Sequence, residues 1–349
     1  MRHIRFLKYF AGFTIPLSAY LSMYYAGYFS YLTLFYAFGF LPALEFFLPV
    51  VSKNISLAEE EIVKKDKVYD WLLYLNVPIQ FFITFYFLNL VTMQEYQWWE
   101  IVGLTSALGI CCGVLGINVA HELGHRVKKI EILFAKSLLL TSLYMHFYIE
   151  HNRGHHKNVS TDDDPASAKL NEPVYTFWIR TIFYSAISAW KLETKRLEKK
   201  GKNVLSLHNQ MLQYILIQGL FLIFIALFFS VFALILFVVA AFIGILLLET
   251  INYVEHYGLR RKKTPEGYER VMPWHSWNSN HYIGRICLYE LTRHSDHHYL
   301  ASKKYQILSH LDDAPQLPAG YPAMMLLTLF PPIWFFVMNK KVKTVMAAH

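Results

Sequence analysis

Long apolar runs, separated by short polar segments, set the plan of this chain. Residues 9–28, 31–51, 71–91 and 99–118 are each close to the roughly 20 apolar positions needed to cross the hydrocarbon core of a bilayer. The apolar stretch 212–248 is too long for one crossing and predicts a tight helical hairpin, 212–229 and 231–248, turning near Ser230. The pattern therefore predicts an all-α integral membrane protein with six transmembrane helices. Between the fourth and fifth spans lies a more polar segment. It holds a turn at Thr161–Asp164 with Pro165, and a helix over 177–197 whose second half is basic. The chain is again polar and Trp-rich after residue 256. Its apolar tail, 322–338, is broken by Pro331 and Pro332, so an interfacial hairpin is expected there rather than a seventh span.

Basic residues give the orientation. Arg2, Arg5 and Lys8 precede the first run, and Lys53, Lys64, Lys65 and Lys67 lie between the second and third. The turns near Ser30 and Ser230 and the segment 92–97 carry neither Lys nor Arg. The positive-inside rule then places both termini and the even-numbered loops in the cytoplasm, with Trp98 and Trp99 at the outer interface. Composition agrees with a membrane protein: 55% of the 349 residues are hydrophobic and 17% aromatic. The net charge of +8 is mostly this orientation signal, and the basic stretch 191–202 reads as a solvated face with some attraction for anionic lipid or an acidic partner. The first run has full length and no small-residue cleavage pattern, so it reads as a span and not as a cleavable leader. The three cysteines include no CxxC pair, and adjacent Cys111 and Cys112 lie inside an apolar run as small buried residues.

Histidine carries the chemistry. Nine of the sixteen histidines fall in four clusters just outside apolar runs. They are His121 and His125 in HELGHR, His151, His155 and His156 in EHNRGHH, His256 in NYVEHYGL, and His294, His297 and His298 in RHSDHH. His121 and His125 are one helical turn apart on the same face, about 30 Å from the start of their span and so at its cytoplasmic rim. His256 ends the last span in the same way, and the other clusters space their rings at i+3 to i+5. The run 130–148 is apolar enough to cross, but crossing would separate the first cluster from the second. It is therefore expected to lie in, or dip into, the cytoplasmic interface.

A single rim histidine is usually a hydrogen-bonded structural residue, but nine at helical spacing on one face are not. Nine imidazoles exceed what one ion can hold, which points to two metals. HELGH also matches the HExxH zinc-protease string with Glu122 as general base, but that leaves seven histidines idle. A metal transporter would place its ligands along a path within the membrane rather than at the rim. Zinc has no redox chemistry, whereas two irons in an imidazole site at a membrane rim can activate oxygen. Glu122, Glu150, Glu255 and Asp296 are candidates to accept from the outer N–H groups of the ligand rings, or to ligate directly, and Asn252 lies one turn before His256. His275 and His281, in PWHSWNSNH, are close to the site in sequence but are read as structural or surface residues, as are His3, His146, His208, His310 and His349.

Taken in order and spacing, the four boxes resemble those of the integral-membrane alkane 1-monooxygenases, within the histidine-box group of membrane di-iron hydroxylases and desaturases. DDDPASA after the second box, HSWNSNH before the last, and KKYQIL and LPAGYP after it extend the similarity over roughly residues 71–332. The NYVEHYG box distinguishes hydroxylases of this kind from desaturases. Arg126 stands where the first box often ends in Lys, and Thr292 where Gln is common; neither departure removes a ligand.

The resemblance implies six transmembrane helices, two irons held by the nine histidines, O2 as co-substrate, and terminal hydroxylation of medium or long n-alkanes. It also implies electrons from a rubredoxin served by an NADH-dependent reductase. That donor is expected to be a separate protein, because no rubredoxin-type cysteines occur here. No nucleic acid partner is expected. The expected organisation is one membrane-embedded catalytic domain, 1–349, in a bacterial inner membrane. Within it, 1–118 hold helices one to four, 119–211 the first two boxes, 212–256 helices five and six, and 257–349 the last box and the tail. Ala37 and Gly39, small residues in the second span, are expected to leave room in a substrate tunnel. The alternative within the same group is a fatty-acyl desaturase or hydroxylase.

Overall fold

The computed structural model describes residues 4–349, so Arg2 and His3 lie outside the described residues. The described chain is helical almost throughout; its one sheet is a two-stranded hairpin, Lys263–Thr264 with Gly267–Tyr268. Five helices are long and apolar enough to cross a membrane: Gly27–Phe46, Val68–Met93, Trp98–Gly124, Gln210–Phe228 and Val231–His256. Five of the six expected segments are thus matched by these helices. The sixth, 9–28, falls on a 3-10 segment, Ile4–Phe13, continued by an α-helix, Thr14–Tyr25. Its Ser18 and Ser22 face Thr33 of the next helix, with Ser22 Oγ 2.9 Å from Thr33 Oγ1.

Local chemistry sets the helix ends. Asn209 accepts from the backbone of Met211 and Leu212 to start the fourth spanning helix, and Ser230 accepts from Ala233 to start the fifth. Only Phe229 and Ser230 separate them, which is the tight hairpin that the uninterrupted apolar stretch implied. Helices Trp98–Gly124 and Val231–His256 pack face to face through small residues. A Cβ on Gly109 would come within 2.6 Å of Ile243, and one on Gly244 within 2.6 Å of Cys112. Glycine at both places lets the backbones approach closely, as is common between membrane helices.

The run 130–148 does not cross. Its helix, Lys129–Thr141, is about 20 Å long, too short to span. The chain then turns through Leu143 at positive φ, and Ser142 hydrogen-bonds back to the carbonyl of Cys112. The second histidine box is thereby returned to the same end of the bundle as the first. A long helix, Val174–Glu198, packs over this end, and the tail forms a helical hairpin, Tyr321–Thr328 and Pro331–Ala348, with the two prolines in the first turn of its second arm.

Three π-helical turns interrupt the α-helices: Tyr36–Phe40, Cys112–Asn118 and His151–His155. Each inserts a residue and rotates the next helical turn, and such insertions are frequent at functional sites. All three contribute side chains to one apolar cavity beside the histidines.

Candidate metal centre

Helix ends bring the four boxes together. His121 sits in the last α-helical turn of the third spanning helix and His125 just beyond it. His256 is the final residue of the fifth. His151 and His155 bracket a π-turn with His156 next, and a short helix, His294–Tyr299, carries the remaining three rings.

The nine rings form two groups. His121, His125, His151, His156 and His297 make the first; His155, His256, His294 and His298 make the second. Within each group one nitrogen per ring lies within 4.8 Å of all the others. Two boxes are divided between the groups. His155 and His156 are consecutive, so they point about 100° apart and serve different groups. His294 and His298 are one turn apart and share a face, whereas His297 points to the other group. The groups adjoin, with the ring centres of His156 and His298 4.5 Å apart.

The nitrogen spacing tests whether metal fits. In the first group, Nε2 of His151 is 3.1 Å from that of His125 and 3.0 Å from that of His156, which is 3.1 Å from that of His297. In the second, Nε2 of His294 is 3.2 Å from that of His256 and 2.9 Å from that of His298. Ligands about 2.1 Å from an ion and at right angles to one another lie about 3 Å apart. Nε2 of His121 and of His155 are buried and have no hydrogen-bond partner. A buried, unpaired polar nitrogen is costly unless something binds it. The donor set therefore suits two cations.

Electrostatics point the same way. Burial, reinforced by neighbouring rings, holds His151, His294, His297 and His298 well below the ordinary histidine range. Their rings are neutral near pH 7, the form that ligates. His155 behaves differently. Burial pushes it down, but the carboxylate of Asp164, 2.9 Å from its Nδ1, outweighs that and holds it up. Asp164 is fixed in turn by Ser167 and by the backbone of Ala166. This carboxylate–imidazole pairing orients the ring and raises its basicity as a ligand.

The acidic residues expected near the rings take varied places. Glu255 is closest: its Oε2 is 3.1 Å from Nε2 of His294, and its Oε1 accepts from Tyr321 at 2.7 Å. It stands where it could ligate. Glu122 pairs with Arg126 at 2.6 Å and accepts from the backbone of Tyr305, not from an imidazole, which also leaves it poorly placed as a free general base. Asp296 is held by Lys303 and the backbone of Ser309. Glu150 accepts from Ser188 and is pushed up to about 8, chiefly by burial and then by Asp164. Asn252 donates to Glu249. His275 and His281 belong to neither group: His275 accepts from the backbone of Met272, and His281 pairs with Ser279.

Two acidic residues escaped the reading of the sequence. Asp164 lies in the acidic run after the second box, and nothing local tells which of three consecutive aspartates folds back. Glu249 is buried inside the most apolar helix, bonded to Tyr144, Thr181 and Asn252. A carboxylate directly abutting the apolar run 231–248 was the available signal.

A narrow apolar cavity reaches both groups. Its walls are apolar, among them Ile15, Ala37, Leu41, Ile110, Val114, Leu248 and Ile251, and it ends on His121, His151, His294, Asn252 and Glu255. Ala37 lines this cavity, whereas Gly39 lines a neighbouring groove on the outer surface.

Comparison with known proteins adds the lineage. The fatty acid desaturase family model matches residues 96–328, which contain all nine histidines. An alkane 1-monooxygenase of Acinetobacter baylyi is 39% identical over 303 residues, 86% of this chain and 74% of its own length. One from Ectopseudomonas oleovorans is 39% identical over 321 residues, covering 90% and 79%. Alkane 1-monooxygenase 1 of Pseudomonas aeruginosa is 42% identical over 260 residues, covering 74% and 68%. With relatives this similar over most of its length, and with a membrane bundle ending in nine convergent imidazoles, the chain belongs to the integral-membrane alkane 1-monooxygenase family, oxidoreductases within the wider fatty acid desaturase group.

Proposed function

We propose that this chain hydroxylates the terminal carbon of medium- to long-chain n-alkanes, with two irons held by the nine histidines and O2 as co-substrate. The observation that carries the reading is the apolar cavity closed by both histidine groups. His121, His125, His151, His156 and His297 would hold one iron, and His155, His256, His294 and His298 the other. Bound there, iron supplies the oxygen-activating redox chemistry that no side chain in the cavity has.

The protein's own residues supply the rest. An alkane has no polar handle, so only the shape of the cavity selects its end. Apolar walls keep water from the reacting carbon and leave the chain one polar end to meet. Asn252 and Glu255 border that end beside the rings, and Tyr321 fixes the Glu255 carboxylate. Asp164 holds the His155 ring.

The chain is read as one catalytic unit in a bacterial inner membrane with the site on the cytoplasmic face, a reading supported by the Lys and Arg distribution. Electrons come from a separate rubredoxin and its NADH-dependent reductase, which the family resemblance supports. Product analysis tests the proposal. Purified protein given dodecane, O2, rubredoxin, reductase and NADH is expected to yield 1-dodecanol. Inertness toward alkanes together with a double bond introduced into an acyl chain would replace it with the desaturase reading.

A further inference from the structure

Four tyrosines, Tyr9, Tyr69, Tyr289 and Tyr305, form a buried cluster beside the five-ring group, each 4% exposed or less. Tyr289 adjoins the imidazoles, sharing a small internal void with His121, Glu122 and His297. It stacks on Tyr9 with ring centres 6.2 Å apart, and Tyr305 touches both, 5.4 Å from Tyr289 and 5.0 Å from Tyr9. The backbone N–H of Tyr305 donates to Glu122, the neighbour of His121 in sequence. The rings thus run without a break from the site to the N-terminal segment.

Phenylalanine would pack as well and would have no hydroxyl to desolvate. The phenols are instead bonded in three different ways. Tyr289 accepts from Asn76 at 2.9 Å, Tyr305 donates to the backbone carbonyl of Tyr69 at 3.0 Å, and Tyr9 donates to the Glu290 carboxylate at 2.9 Å. Of these three, Tyr9 alone has a carboxylate to take its proton. Lys8, whose side chain is 24% exposed, contacts the same carboxylate and lies over the Tyr9 ring, with Nζ 4.6 Å from its centre. The path therefore ends on a phenol with its own base, one side chain below the surface.

We infer that this cluster is an escape route for oxidising equivalents, along which Tyr9 gives one electron to an oxygen-derived oxidant at the histidine groups when no hydrocarbon is present to react. The inference rests on the proposed oxygenase reading. The electron leaves Tyr9 and crosses Tyr289 to the oxidant. The Tyr9 Oη–H bond breaks and its proton passes to Glu290, leaving a neutral tyrosyl radical beside a carboxylic acid. A thiol or ascorbate-like reductant at the surface returns the electron, and the proton goes back to Oη. A phenol yields an electron only to a strong oxidant, so these rings are no stepping stones for electrons delivered inward by a mild donor. The route spares the ligand imidazoles from oxidation.

Electron paramagnetic resonance tests this without relying on turnover. Iron-loaded, dithionite-reduced protein is mixed with oxygenated buffer lacking alkane and frozen, with ring-deuterated tyrosine to identify the radical. The parent protein is expected to show a tyrosyl signal that shrinks when dodecane is present. Tyr9→Phe is expected to lose the signal and Tyr289→Phe to weaken it, both with parental iron content and initial rate of 1-dodecanol formation. Tyr184→Phe, on the exposed face of the Val174–Glu198 helix, is expected to keep it. A parent protein with no tyrosyl signal, or a Tyr9→Phe variant with the parental one, overturns the route. A parent protein that forms the radical but hydroxylates no alkane keeps the route and loses the proposed function; 1-dodecanol formed without any radical does the reverse.

Discussion

At the scale of single residues, two buried carboxylates do different work. Asp164 touches a proposed ligand, His155, through its outer nitrogen, and such partners are typically worth about 10–100-fold in metal affinity. Asp164→Ala is expected to weaken iron retention by that factor against a chelator, with Asp164→Asn partly restoring it. Equal loss in both variants would make the role merely structural. Glu290 does not approach the rings. It accepts from Lys8 at 2.7 Å, Tyr9 at 2.9 Å and Arg285 at 2.6 Å, tying the N-terminal helix to the last box. Burial favours its neutral form, yet Lys8, Arg285 and Arg293 outweigh that and hold it down at about 2. Because the folded value lies below the unfolded one, this stability is complete above roughly pH 5 and is lost as pH falls toward 2. Glu290→Gln strands three cations, two of them buried, and is expected to destabilise the fold by about 3–5 kcal/mol, read as a large drop in thermal midpoint. It should also flatten the acid limb of stability against pH. An unchanged midpoint would sink the idea.

Among the elements, length and apolarity decided what could be read in advance. Runs 71–91, 99–118, 212–229 and 231–248 announced their helices because each is apolar on every face. The run 9–28 was harder, since serines and tyrosines that bond inward count as polar in any sequence average. The non-crossing run 130–148 was legible only through the histidines on either side of it. The π-turns had no readable signal; their extra residue shows only in the backbone, and they decide which face Ala37 and Gly39 present. Close packing of Gly109 and Gly244 is equally invisible in sequence, and it positions the helix ends that carry His121 and His256. Gly244→Leu would push Cys112 aside and is expected to cost about 1–3 kcal/mol, lowering iron content along with thermal stability. Wild-type iron content in that variant would separate the helix contact from the site. Ala37→Trp, in the cavity wall, is expected to shorten the accepted alkane range without changing iron content, checked by chain-length profiles from C8 to C16.

For the molecule as a whole, ring spacing and the ends of the apolar runs marked the nine histidines that the fold brings together, but not their division into five and four. That division comes from neighbours on one helix pointing to different sides, and from two boxes meeting across the bundle. The site thus depends on the complete fold: two spanning helices, the turned-back segment and the 294–299 helix must all arrive together. Metal content measures that arrival directly. Protein purified from iron-replete cells is expected to hold two irons per chain, and a His298→Ala variant close to one, because His298 belongs to the four-ring group alone. One zinc per chain, unaffected by His298→Ala, would contradict the two-iron centre on which the account rests.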